Sequence, residues 1–148
     1  MLYASPSYLA TRGTLIRPDH LGQHDCILQT YMALPSVWNL VSGKRMIEAR
    51  VRGRLSTNNV SMTLKFAEHG YGVAALSPAK AARACEEGSI RRVTLRRLSG
   101  EPIDDANVIL NRDKAEEFET ADYTCHGGFG VNAESRKLII ARAFAGGE

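Results

Sequence analysis

The sequence is short of residues that staple or chelate. Its three cysteines, Cys26, Cys85 and Cys125, stand far apart, with no Cys-x-x-Cys spacing. Such a set excludes a disulfide framework and a cysteine-based zinc site, and it fits reduced thiols in a cytoplasmic protein. Long apolar runs are also missing. The longest uncharged stretch, Cys26 to Gly43, is broken by Gln29, Thr30, Pro35, Ser36 and Asn39, whereas a membrane span needs about 20 mainly apolar residues. The opening residues Met1 to Pro6 lack the basic segment and apolar core of a secretory signal. His20, His24, His69 and His126 are dispersed, without a GxSxG, HExxH or phosphate-loop pattern, so neither catalysis nor a metal or cofactor is expected. Gly127-Gly128-Phe129-Gly130 has no strand before it or helix after it and reads as a generic turn.

What remains is ordinary globular material: 148 residues, 44% hydrophobic and 24% charged, enough for one domain with a substantial core. The net charge of +3 hides an asymmetry. Residues 1–98 carry fourteen basic and six acidic side chains, and residues 99–148 carry five basic and ten acidic. The chain therefore divides into a basic region, 1–98, and an acidic C-terminal segment, 99–148.

Hydrophobic periodicity and punctuation place the elements. Ser5-Pro6 is a helix start, serine capping free amides and proline losing no bond at the first position; that helix runs past Tyr8 and Leu9 to Gly13. Pro18 opens a single turn through Gly22, and Cys26-Ile27-Leu28 reads as a buried strand. Val37 to Val41, the Ser42-Gly43 turn and Met46 to Leu55 predict a β-hairpin or meander. In its second arm Arg50, Arg52 and Arg54 alternate with apolar or small residues, so period two puts them on one face. Clustered guanidinium groups suit phosphates, but without interleaved aromatics a solvated edge face is the better reading, and the same holds for Arg91, Arg92, Arg96 and Arg97.

From Asn58 the period becomes helical, with Val60, Leu64 and Ala67 as a stripe, and Met62 and Phe66 beside it, ending at Gly70. Gly72 to Leu76 reads as a covered parallel strand. Ser77-Pro78 opens an alanine-rich helix that Gly88 closes, and Ile90, Val93 and Leu95 predict a further strand. This alternation predicts an α/β fold with a mainly parallel sheet flanked by helices. Beyond Ser99 only weak signals occur: Val108 to Leu110 as a strand, Asp113 to Phe118 as a helix turn, and Leu138 to Phe144 as a closing element.

Several segments together resemble the effector-binding domain of LysR-type transcriptional regulators. They are ASPSYLATRGT (Ala4 to Thr14), RPDHLGQHDCI (Arg17 to Ile27), Trp38, VRGRLSTNN (Val51 to Asn59), AEHGYGVAALSP (Ala67 to Pro78) and EEGSIRRV (Glu86 to Val93). The resemblance implies a periplasmic-binding-protein-like fold, with residues 1–98 as its second lobe. It also implies a small effector between the lobes, side-by-side pairing of effector domains in homo- or hetero-oligomers, and a function in transcription regulation. No helix-turn-helix is matched, so the chain is expected to be truncated and to make no direct DNA contact.

Elementary chemistry picks out one site. In open α/β sheets ligands bind beyond the carboxyl ends of the strands, where free amides and helix dipoles favour anions. Ser56 to Ser61 is such a strand-to-helix corner, and Thr57, Asn58, Asn59 and Val60 are the expected contacts of a small anionic metabolite. The resemblance points to the same corner. The competing role for Asn58 or Asn59 is simple capping, a contribution of about 1 kcal/mol. Ser77 and Ser5 are also expected to act as caps. A stand-alone small-molecule enzyme or carrier on the same scaffold is the alternative function.

Overall fold

The computed structural model describes residues 1–13, 15–30, 36–42, 45–97, 99–100, 102–103, 107–109 and 119–120. The sequence readings at 113–118, 127–130 and 138–144, together with Gly43, Cys125 and His126, lie outside the described residues.

The chain begins with a three-residue strand, β1 (Leu2–Ala4), and helix α1 (Pro6–Arg12). Ser5 Oγ accepts from the Tyr8 amide at 3.2 Å, and Gly13 ends the helix at φ 84°, where glycine alone is unstrained. A 3-10 turn spans Pro18–Gln23 and leads into β2 (Asp25–Gln29). There follow β3 (Val37–Ser42), β4 (Arg45–Arg50), β5 (Arg52–Thr57), helix α2 (Val60–Glu68), β6 (Ala74–Ala75) and helix α3 (Pro78–Glu86). The short strands β7 (Arg91–Arg92), β8 (Leu95–Arg96), β9 (Pro102–Ile103), β10 (Asn107–Ile109) and β11 (Glu119–Thr120) complete the described elements.

The central layer runs β5-β2-β6-β1-β7. β2 and β5 pair in parallel, a parallel bridge joins Cys26 to Val73 beside β6, and β1 pairs antiparallel with both β6 and β7. Parallel pairing thus holds where the carboxyl ends of β2, β5 and β6 lie together, and antiparallel pairing enters through β1. A second sheet, β10-β3-β4-β11, stands apart from it.

Side chains alternate across the central layer as period two requires. Leu2, Ala4, Cys26, Val73 and Ala75 join Tyr8, Leu15, Leu21 and Trp38 on the α1 face. Tyr3, Ile27, Ala74 and Leu76 face the opposite way, against Ala67, Ala81, Ala84 and Ile90 of the α2–α3 layer. A fully buried Ile27 or Leu2 contributes about 2 kcal/mol of transfer free energy, and the alanines let both helices approach the sheet closely.

The structure corrects three local expectations. The arm read as continuous from Met46 to Leu55 is two strands: Val51 makes the last bond of the β3–β4 register, its amide donating to Ser36 O at 2.8 Å, and β5 then joins β2 in the other sheet. The residue alternation survives that change of sheet, so Arg50, Arg52 and Arg54 are all exposed and Ala49 and Val51 are buried. Second, the inner face of α2 is Thr63 and Ala67, while Val60 and Met62 are 38% and 44% exposed. The first turn of α2 carries Val60 and Met62 outward, and Thr63 is admissible inside because its hydroxyl donates to Asn59 O at 3.2 Å. Third, Ile90 to Leu95 is divided between β7 and β8, which pair with different partners.

Candidate functional site

Thr57 ends β5, Asn58 turns the corner, Asn59 is the N-cap of α2 and Val60 is its first residue. All four expected contacts therefore sit at one strand-to-helix junction, half-buried at Thr57 and exposed from Asn58 onward. Asn59 Oδ1 accepts from the amides of Ser61 at 2.8 Å and Met62 at 3.2 Å, so its capping role is real. Thr57 Oγ1 accepts from the Asn59 amide at 3.1 Å, and Thr57 O accepts from the Thr30 amide at 3.1 Å, tying the corner to the end of β2.

After these bonds, what the corner has left to offer is almost wholly donors. The amides of Asn58 and Val60 have no acceptor among the described residues. The Asn59 carboxamide nitrogen and the hydroxyl protons of Thr57 and Ser61 are uncommitted as well. Lys80 Nζ reaches Ser61 Oγ at 3.0 Å, bringing a cation from the first turn of α3 across to the start of α2. A lysine in a first helical turn opposes the helix dipole, and that local misfit was the sequence signal for Lys80. Lys80 is the residue at this corner that the sequence reading left out; Ser61 lay within the expected Ser56 to Ser61 corner, though not among its four contacts. A corner of amides, hydroxyls and one ammonium group attracts carboxylate, phosphate or sulfate oxygens and repels cations.

Ser77 caps α3 at the same edge, accepting from the Lys80 amide at 3.3 Å. Gln29 lies beneath the two helix starts. It is opposite Thr57 in register, it is 1% exposed, and its Nε2 donates to Ala75 O at 2.9 Å. Its Oε1 has no donor among the described residues. Ser5 does not share this edge: β1 runs antiparallel to β6, and a Cβ at Gly70 would stand 3.4 Å from Ser5 Oγ, before β6 begins.

The other end of β2 has the opposite character. Tyr8 Oη accepts from the Asp25 amide at 2.9 Å and lies 3.1 Å from His24 Nδ1. The Tyr8 proton has two acceptors in reach, Asp25 O at 3.4 Å and His24 Nδ1, and donation to Nδ1 goes with a neutral imidazole. Burial lowers the His24 pKa, and His20 and Arg12 lower it further. Burial likewise raises Tyr8, and it pushes the Cys26 thiol up to about 12. The Asp25 carboxylate turns outward to an ion pair with Arg12, and Arg54 stands 3.8 Å away. His24, Asp25 and Cys26 are adjacent in sequence but serve different partners, and the thiol is held neutral and unreactive.

Among the described residues no group of three or more His, Cys, Asp or Glu is placed to hold a metal ion, and no helix is long and apolar enough to cross a membrane.

Residues 1–117 match the family described as the LysR substrate binding domain. Among solved structures, the chain is similar to the CrgA regulatory domain, a LysR-type transcriptional regulator from Neisseria meningitidis. The identity is 19% over 99% of this chain and 63% of that one, with a TM-score of 0.56. It is similar also to full-length AphB, a virulence activator of Vibrio cholerae, at 18% identity over 98% of this chain and 43% of that one, TM-score 0.57. The regulatory domain of AphB in Vibrio vulnificus matches at 20% identity over 63% of this chain and 46% of that one, TM-score 0.55. The chain thus spans 43% to 63% of the length of these structures. At such identities the likeness carries the fold, which is the periplasmic-binding-protein-like α/β fold. No curated protein matches the chain.

Proposed function

The chain belongs to the LysR substrate binding domain family, and from that premise we propose that it takes a small anionic effector at the β5–α2 corner and relays its presence to transcription. Thr57, Asn58, Asn59 and Val60 form the contact set, with Ser61 and Lys80 at its rim. The observation that carries this reading is the donor surplus: the free amides of Asn58 and Val60 beside the Lys80 ammonium group. Residues 1–98 serve as the effector lobe, the protein works in the cytoplasm, and effector domains pair with one another in the assembled regulator. An effector that prefers one arrangement of the lobes shifts the population toward it, which is the physical content of signalling in such a module. Contact with DNA falls to parts of the regulator other than these residues.

Capping and binding at Asn59 are separable by one substitution. Aspartate caps as well as asparagine does, but it places a negative charge where the anion would sit. A thermal-shift screen of small carboxylates, sulfate and phosphate is expected to raise the melting temperature of the wild type. The Asn59→Asp protein should melt near the wild-type temperature and gain nothing from the same anions. Equal gains for both proteins would overturn the assignment. Turnover of a screened compound would instead favour an enzyme on this scaffold.

A further inference from the structure

On the opposite face of the central sheet from α2 and α3, a cavity of about 300 Å³ opens between α1 and the strand segment that follows α3. Leu9, Leu15, Arg91, Arg92, Val93 and Thr94 line it. Its position follows from register. Arg91 pairs with Ala4, whose side chain lies on the α1 face, and period two returns Val93 to that face, where it joins the cluster with Leu15. Leu15 and Val93 are buried at 4% and 7% exposure and Leu9 packs against the same cluster, so the floor is apolar, while Arg91, Arg92 and Thr94 make the rest of the lining polar. Arg91 is exposed at the rim and makes no ion pair among the described residues.

We propose that this cavity is a second small-molecule site, taking a short organic carboxylate whose apolar body lies against Leu9, Leu15 and Val93 and whose anionic end meets Arg91. The volume admits about ten non-hydrogen atoms at liquid-like packing. That suits an acid of six or seven carbons. A planar guanidinium group binds a carboxylate through two parallel hydrogen bonds. The site adjoins the stretch that leaves the central sheet at Val93 and pairs next at Leu95–Arg96 with Pro102–Ile103. A ligand there would therefore clasp α1 to the departing chain.

The inference stands apart from the β5–α2 corner and is tested with that corner disabled. In the full chain carrying Asn59→Asp, hexanoate is titrated by calorimetry beside hexanol, which has the same tail and no charge. Saturable hexanoate binding, at least fivefold tighter than hexanol, is expected. Adding Arg91→Met, an exposed change that keeps the stem and removes the charge, should weaken hexanoate about tenfold and leave hexanol unchanged. Absence of hexanoate binding, equal affinity for acid and alcohol, or indifference to Arg91→Met would each overturn the proposal.

Discussion

The two ends of the parallel strands in the central layer are both polar, to opposite effect. At the amino end of β2 the polar groups engage one another: Tyr8 holds the Asp25 amide and His24 Nδ1, and Arg12 holds the Asp25 carboxylate. Backbone contact there is so close that a Cβ at Gly53 would lie 1.7 Å from Cys26 O, at the irregularity in the β2–β5 register between Asp25 and Ile27. At the carboxyl end, by contrast, two helix starts face outward with amides, hydroxyls and an ammonium group only partly engaged. A closed network rigidifies because each unpaired buried group would be costly, whereas an open edge retains the hydrogen-bonding capacity that a ligand requires. The difference teaches that a polar cluster whose groups engage one another has little left for a ligand, whereas one with uncommitted donors keeps that capacity.

That contrast can be broken in graded steps. Gly53→Ala is expected to have the largest effect, about 4 kcal/mol of lost stability or failure to fold, read from urea midpoints, because backbone stands where the methyl group would go. Tyr8→Phe should cost about 2 kcal/mol by stranding the Asp25 amide and His24 Nδ1. It should not alter anion binding at the far edge, and a change there would mean that the two ends are coupled. Asn59→Ala should cost about 1 kcal/mol through the lost cap and weaken any anion that uses Asn59.

Acid sharpens the same comparison. His24 is harder to protonate in the fold than its ordinary value of 6.5, chiefly through burial. The unfolded chain therefore takes up the proton first, so this contribution to stability is full above pH 6.5 and declines as pH falls below it. Urea midpoints between pH 7.5 and 5.5 should fall more steeply for the wild type than for His24→Gln; parallel slopes would show that His24 is not the group responsible. Smallest of all, Arg54→Ala should change stability by less than about 0.5 kcal/mol, since its guanidinium group is 86% exposed and 3.8 Å from Asp25.

Much of this was legible in the sequence. Serine followed by proline marked the caps at Ser5 and Ser77, and the switch from period two to helical period placed Thr57 to Val60 at a corner. Period two also gave the shared face of Arg50, Arg52 and Arg54. Local patterns could not show that the Met46 to Leu55 arm changes sheets at Val51, because the alternation of exposed and buried residues runs on without a fault. Nor could they place Ser5 at the far edge from Ser77, since that depends on β1 running antiparallel to β6. The approach of Lys80 to Ser61 joins residues nineteen apart, and only the packing of α2 beside α3 brings them together. The apolar look of Val60 and Met62 misled for a related reason: a helix that starts at the edge of a sheet can turn its first residues outward.

The central claim is that the open edge binds an anion through the free amides of Asn58 and Val60, with Asn59 between them. Following backbone amide resonances of the full chain by NMR during a titration with malonate tests it most directly. The account predicts saturable, concerted shifts at Asn58, Asn59 and Val60 that vanish in Asn59→Asp, with Tyr8, His24 and Asp25 unmoved. Shifts absent from the corner, or persisting there unchanged in Asn59→Asp, would contradict it.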